Sequence, residues 1–218
     1  MSVPVSAAAS MTGGLVQDTE HVLLPAVRPA ATFAVTAAAM APALVGLWRR
    51  PADAAALLRA LLQCALCSFL FGWHVHEKAV LLAAVPLAVL ALRSGPEARL
   101  YQLLSVTAHV SLGPLLFRGR EAPARLLLTA LHAGYAALAL PSAGGPPSRA
   151  QSGYLAGLAA VALYDVVGHG ALGLDGRWPF LPLLLTSLYC ALGVVYCWLS
   201  LYRHMLFRVE GGQKIKVR

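Results

Sequence analysis

The sequence predicts an all-α membrane protein, a polytopic transmembrane helical bundle. Hydrophobic residues make up 59% of the 218 residues and charged residues only 12%, and the mean hydropathy is +0.69. Apolar stretches recur between residues 29 and 201 with brief polar breaks. Several of them reach the roughly 17–25 residues that a helix needs to cross the hydrocarbon layer. This composition excludes an arrangement of two or more soluble domains.

About seven membrane segments account for the apolar stretches, with six as the alternative count. They divide the chain into an N-terminal arm, 1–28, a transmembrane bundle, 29–201, and a basic tail, 202–218. The third segment is short and carries Pro86, and the fourth is interrupted by Gly113-Pro114, which disfavours a straight helix. The predicted segments are 29–48, 54–73, 79–92, 100–117, 123–141, 153–173 and 179–201.

The distribution of Lys and Arg predicts the topology, because positive charge is enriched in cytoplasmic loops. With seven crossings and a cytosolic tail, eleven of these residues fall on the cytoplasmic side and six on the other. This orientation places the arm 1–28 and residues 73–78 on the non-cytoplasmic side. The formal charge of +8 is then a topology signal, and no nucleic-acid partner is expected, since the basic residues form no patch interleaved with aromatics.

The candidate site is the six-residue cluster Trp73-His74-Val75-His76-Glu77-Lys78, which lies between long apolar runs. Ionisable groups in or beside a membrane are costly unless they are paired or hydrated, so such a cluster indicates a functional site. On a helix, His74 and His76 would point about 200° apart, whereas in an extended loop they would share one face.

Three interpretations of this cluster follow from its side chains. As a metal site, His74, His76 and Glu77 would supply enough ligands for zinc or manganese, although no second group of ligands in the sequence supports it. As an anion site, the imidazoles and the Lys78 ammonium would bind the ligand, with Glu77 holding one of them in register. As an interfacial belt, Trp73 and Lys78 would only mark the membrane surface, which leaves two histidines and a glutamate unexplained.

Two further groups of residues have a structural interpretation first. Asp165 and His169 are spaced i, i+4 in the sixth segment, where they could hydrogen-bond each other, and a single acid in a bundle usually needs such a partner. The four cysteines are interpreted as small packing residues, because Cys-x-x-Cys within a buried helix is a weak metal signal. The cysteines are Cys64, Cys67, Cys190 and Cys197.

At the cluster, Phe71-Gly72-Trp73-His74-Val75-His76-Glu77-Lys78-Ala79 resembles the Val-His-Glu-Lys segment of the dolichyl-phosphate-glucose-dependent α-1,3-glucosyltransferases of N-glycan assembly. The Gly-Trp-His form is closest to the second of these enzymes, which glucosylates the glucosylated Man9GlcNAc2 lipid-linked oligosaccharide. Other runs agree with the resemblance, which extends from about Ala9 to the C-terminus. These runs are Ser10-Met11-Thr12, Gly14-Leu15-Val16-Gln17, Leu24-Pro25 and the stretch 179–191.

The resemblance implies the C-terminal half of a GT-C type glycosyltransferase. Members of the family are longer, and the acidic residue proposed as their catalytic base lies in a first luminal loop without a counterpart here. The catalytic base is therefore unknown for this sequence. The implied partners are a dolichyl-phosphate-glucose donor, a dolichyl-diphosphate oligosaccharide acceptor and membrane lipid, and we expect no cofactor and no metal.

The implied reaction is an inverting transfer, in which a β-linked glucosyl phosphate becomes an α-1,3-glucoside. On this basis we expect His74, His76 and Lys78 to face the donor phosphate, with Glu77 orienting them or contacting the sugar. The alternative function is a polytopic transport or ion- or metal-binding protein that uses His74, His76 and Glu77.

The expected location is the endoplasmic reticulum membrane, with several crossings and the site facing the lumen. The closing residues Lys214-Ile215-Lys216-Val217-Arg218 are similar to the cytosolic Lys-x-Lys-x-x retrieval signal of that membrane. They equally fit a basic tail that anchors the last helix to anionic lipid.

Overall fold

The computed structural model describes residues 27–115, 121–140 and 147–211, and the regular elements in these ranges are all helices. An all-α fold is thereby confirmed for the described residues, whereas most of the predicted arm 1–28 and part of the tail 202–218 lie outside them. Short 3-10 turns lie at Glu77–Ala79 and at Gly113–Leu115. The helices are α1 (Pro29–Arg49), α2 (Ala54–Phe71), α3 (Val80–Ala91), α4 (Gly95–Ser111), α5 (Ala122–Ala139), α6 (Arg149–Ala171) and α7 (Leu181–Gly211).

Side-chain caps fix where three of these helices begin. Asp53 accepts a hydrogen bond from the Ala55 backbone N–H at 2.8 Å and starts α2. A capping box of Ser148 and Gln151 starts α6, which is why this helix begins before the predicted segment 153–173. Ser94 caps α4, because its hydroxyl satisfies one of the backbone donors that a helix leaves unpaired at its start.

Four helices of the described part of the chain are long and apolar enough to cross a membrane. They are α1, α2, α6 and the part of α7 from Leu181 to Met205. In contrast, α3 has 12 residues and covers about 18 Å at 1.5 Å per residue, less than the roughly 30 Å of a hydrocarbon core. Crossings by α3, α4 and α5 therefore stay predictions, and the count of seven is not confirmed.

The centre of the bundle is α4, which packs against α3, α5, α6 and α7. The main core contains leucines of α2, α3 and α4 together with Cys197 of α7. All four cysteines are free, and three of them are buried, as expected for packing residues. The largest fully buried side chains in this core are Leu62, Leu66, Leu87, Leu90 and Leu104.

A pair of tyrosines joins α6 to α7. The rings of Tyr154 and Tyr189 stack with centroids 4.9 Å apart. Tyr154 Oη donates to the Tyr189 carbonyl at 3.1 Å, and Tyr189 Oη donates to the Tyr154 carbonyl at 3.2 Å. Each hydroxyl lies over a glycine of the other helix, since a Cβ at Gly193 would overlap Tyr154 Oη and one at Gly157 would overlap Tyr189 Oη. Small residues allow this close approach, as is usual between membrane helices.

We expect Gly193→Ala and Gly157→Ala to lower the thermal stability of the detergent-solubilised chain. The added methyl displaces a tyrosine that is stacked and hydrogen-bonded, at a cost of about 1–3 kcal/mol. The matched control is Gly153→Ala in α6, where a Cβ meets nothing within 4 Å, so the same change should stabilise the helix slightly. Equal melting temperatures for the three variants would contradict the tyrosine contact.

Candidate functional site

The cluster 73–78 lies in the connection between α2 and α3. Gly72 is the first residue of this connection. The Gly72 backbone N–H donates to the Ser68 carbonyl at 2.9 Å, which closes α2. A Cβ at this position would overlap Ser68 O and lie 2.7 Å from Val75 Cγ2. The chain can turn this tightly out of the helix only with glycine, so Gly72 sets the direction in which the following side chains leave α2.

His74 has a left-handed backbone conformation, with φ of 49°. Among residues other than glycine this conformation is uncommon, and histidine is one of the types enriched in it. The ring of His74 lies edge-on to Trp73, with centroids 4.4 Å apart. Because His74 is left-handed whereas His76 is extended, the segment forms neither the continuous helix nor the continuous extended loop considered from the sequence.

His76 begins the 3-10 turn that leads into α3. Its Nδ1 accepts a hydrogen bond from the Lys78 backbone N–H at 3.3 Å and lies 3.2 Å from Glu77 Oε2. The side chains of His76 and Glu77 are 63% and 45% exposed. The Lys78 side chain has no hydrogen bond or ion pair to any described residue and is exposed. The structure therefore brings His76 and Glu77 together and leaves the amine of Lys78 open to a ligand.

Within the described ranges there is no group of three or more His, Cys, Asp or Glu residues arranged to hold a metal ion.

A second polar site, which the sequence did not indicate, joins α5 to α6 and to the 3-10 turn that follows α4. Arg125 in the first turn of α5 donates from Nη2 to Asp165 Oδ2 at 2.5 Å and from Nη1 to the Gly113 carbonyl at 2.8 Å. Both charged side chains are largely buried. No spacing in the sequence relates Arg125 to Asp165, which lie 40 residues apart.

The predicted hydrogen bond between Asp165 and His169 is wrong, because each of them has another partner. Residues Tyr164–Gly168 form a π-helical segment within α6. In such a segment the turn widens, so residues five apart align in place of residues four apart. Accordingly, His169 Nδ1 lies 3.0 Å from the hydroxyl of Tyr164, and Asp165 is free to pair with Arg125.

A stacked pair of histidines extends the polar contacts between α4 and α5. The rings of His109 and His132 lie 4.0 Å apart and within 16° of parallel. His109 Nδ1 donates to the Ser105 carbonyl at 2.8 Å, and His132 Nε2 lies 3.0 Å from the Ser105 hydroxyl. These side chains satisfy one another inside the bundle, so the pair has a structural explanation.

The apolar helices and the exposed histidine cluster define an integral membrane protein with a polar site where α2 ends. The profile of the ALG6, ALG8 glycosyltransferase family matches residues 2–201, and the chain belongs to this family. The resemblance found in the sequence is thereby confirmed.

Several curated relatives are named dolichyl pyrophosphate Glc1Man9GlcNAc2 alpha-1,3-glucosyltransferase. The relative from Bos taurus is 41% identical over 212 residues, which cover 95% of this chain. The relative from Arabidopsis thaliana is 36% identical over 91% of this chain, and a relative from Drosophila melanogaster, named as a probable enzyme of this kind, is 41% identical over 91%. The chain spans about 40% of the length of these relatives. No solved structure matches the chain.

We expect Arg125→Gln and Asp165→Asn each to destabilise the chain by roughly 3 kcal/mol, since removing one partner leaves the other charge buried and unpaired. The double variant should lose less free energy of unfolding than the two single variants lose together. Thermal unfolding in detergent measures this, with Arg177→Gln, an exposed arginine before α7, as the control. Strictly additive losses would contradict the ion pair.

Proposed function

We propose that this chain is part of a glucosyltransferase that moves glucose from dolichyl-phosphate-glucose to the glucosylated Man9GlcNAc2 lipid-linked oligosaccharide. The observation that carries the proposal is the match of nearly the whole chain to relatives from animals, a plant and a fungus that are named as dolichyl pyrophosphate Glc1Man9GlcNAc2 alpha-1,3-glucosyltransferases or, for the Drosophila melanogaster relative, as a probable one. The dolichyl-phosphate-glucose donor is what the family resemblance implies. The site that serves the reaction is the cluster at residues 73–78.

The cluster has the chemistry that a departing lipid phosphate requires. In an inverting transfer, negative charge grows on the phosphate as the glycosidic bond breaks, and positively charged or N–H donors positioned there stabilise it. The Lys78 ammonium is exposed and without a protein partner among the described residues. His74 and His76 are exposed on the same connection, so each of the three side chains is accessible to a ligand at the end of α2.

Glu77 orients the donors in this scheme. Its Oε2 lies 3.2 Å from His76 Nδ1, and a carboxylate beside an imidazole fixes the orientation of the ring. Because Nδ1 accepts from the Lys78 backbone N–H, Nε2 carries the N–H that donates to the phosphate beside the Lys78 ammonium. We assign no general base to this chain, although the acceptor hydroxyl needs one.

The proposed location is the endoplasmic reticulum membrane, with residues 73–78 facing the lumen. The excess of Lys and Arg on the opposite side of the bundle supports this orientation. A luminal site also suits the reaction, because the donor phosphate then lies at the membrane surface beside the exposed connection between α2 and α3.

The activity is tested by complementation of cells that lack the glucosyltransferase acting on glucosylated Man9GlcNAc2. The expressed protein joins this chain to the part of the Bos taurus relative that the chain does not match, and the readout is the pattern of lipid-linked oligosaccharides. We expect the joined protein to restore the second glucose. A well-expressed joined protein that leaves the oligosaccharide with one glucose would overturn the proposed function.

In the joined protein, Lys78→Ala should lower transfer from dolichyl-phosphate-glucose by about 100-fold, the effect of losing one donor to developing charge. His76→Ala removes both an imidazole and the cap of the 3-10 turn, so His76→Asn is the matched control that keeps a capping oxygen. We expect both His76 variants to lose transfer. Full activity of His76→Asn would show that His76 acts only as a cap of the 3-10 turn. Unchanged transfer in Lys78→Ala would show that Lys78 does not stabilise the donor phosphate.

A further inference from the structure

A small polar cavity of about 10 Å³ lies between α4, α5, α6 and α7, beside the ion pair of Arg125 and Asp165. A single water molecule needs roughly 10–15 Å³ of such space and several polar partners. The size of the cavity therefore suits one water molecule. Most of its lining is polar, and the polar side chains are those of His109, Arg125, Thr129, Asp165 and Thr186.

The hydroxyl of Thr186 needs a partner inside this cavity. Thr186 is 3% exposed, and its Oγ1 has no hydrogen bond to any described residue. A threonine inside a helix commonly bonds the carbonyl four residues earlier, as Thr107 does by donating to the Leu103 carbonyl at 2.7 Å. Thr186 makes no such bond and instead lines the cavity. A buried hydroxyl without a partner is unfavourable, so a hydrogen-bonding group in the cavity would stabilise the fold.

The carboxylate of Asp165 has an oxygen that the ion pair leaves over. Oδ2 accepts from Arg125 Nη2, whereas Oδ1 makes no hydrogen bond within the described ranges. A largely buried ion pair is stable only if its remaining lone pairs are also satisfied. Because Asp165 lines the cavity, a donor bound there would complete the hydrogen bonds of this carboxylate.

The imidazole of His109 adds a second acceptor to the lining. Its Nδ1 donates to the Ser105 carbonyl at 2.8 Å, so Nε2 of the neutral ring carries a lone pair and accepts. The lining thus offers a hydroxyl donor on Thr186 and acceptors on Asp165 and His109. A water molecule matches this set, because it donates two hydrogen bonds and accepts others.

The cavity lies inside the membrane-crossing parts of two helices. Asp165 belongs to the crossing part of α6, and Thr186 belongs to that of α7, which begins at Leu181. In the hydrocarbon region no bulk water satisfies polar groups, so a water molecule held here is part of the structure. The distance from Leu181 to Thr186 along α7 is about 8 Å at 1.5 Å per residue, which gives water a short path from the membrane surface.

We propose that this cavity binds one ordered water molecule that connects α4, α6 and α7. The water accepts from the Thr186 hydroxyl and donates to Asp165 Oδ1 and to His109 Nε2. These three groups come from three different helices, so the water extends the ion pair between α5 and α6 to the other two helices of the cavity. The water site is separate from residues 73–78, and it does not depend on the proposed function.

The direct test is water-edited solid-state NMR of the chain with isotope-labelled threonine in phosphatidylcholine bilayers. It measures how fast magnetisation passes from water to each threonine, and the Thr186 signal is the one that disappears in Thr186→Val. The matched control is Thr107, which is also buried but whose hydroxyl contacts the Leu103 carbonyl and the Tyr154 hydroxyl. We expect transfer to Thr186 to be several-fold faster than to Thr107. Equal rates for the two threonines would overturn the proposal.

The stability of Thr186→Val gives an independent test, because the direction of the change depends on the water. Valine keeps the shape of threonine and removes the hydroxyl. If the hydroxyl binds water, the variant loses a hydrogen bond and its melting temperature in detergent should fall by about 2–4 °C. If the hydroxyl has no partner, the same change removes an unfavourable buried group and raises the melting temperature. Thr107→Val, which loses a hydroxyl bonded to protein atoms, is the reference for a fall. A melting temperature of Thr186→Val that rises or stays unchanged would contradict the water site.

Discussion

The polar side chains of α4 need partners inside the bundle, and those partners determine how the other helices are arranged around it. Glu97 pairs with Arg59 of α2, the Ser105 hydroxyl lies against His132 of α5, and the Thr107 hydroxyl lies 3.2 Å from that of Tyr154 in α6. An unpaired polar group in a medium without water costs several kcal/mol. Each contact therefore fixes the rotation of one neighbouring helix and its position along the bundle axis. Apolar packing between leucines specifies these two quantities much less sharply.

The sequence predicted the local features of the fold and missed the contacts between distant segments. Apolar runs and caps are local, so the helices and the all-α class follow from the sequence. The pairing of Arg125 with Asp165 joins residues 40 positions apart, and no periodicity reports it. The π-helical segment in α6 is likewise invisible in the residue pattern, and it is the reason that His169 meets Tyr164 rather than Asp165.

The candidate site was predictable because it is short and continuous in the chain. Its four ionisable residues lie within positions 74–78, and their grouping between apolar runs was enough to single them out. Their geometry was not predictable, since it depends on the close approach at Gly72 and on the left-handed backbone of His74. A hexapeptide pattern specifies which groups are present, whereas the helices on either side determine what they face.

The reciprocal tyrosine contact between α6 and α7 bears on the order in which the protein assembles in the membrane. Its stacking and its two hydrogen bonds to backbone carbonyls involve only these two consecutive helices. A helical hairpin of this kind can form as soon as both helices are inserted, before either has met α4. The Thr107 contact of Tyr154 and the packing of α7 against α4 and α2 join this hairpin to the rest of the bundle.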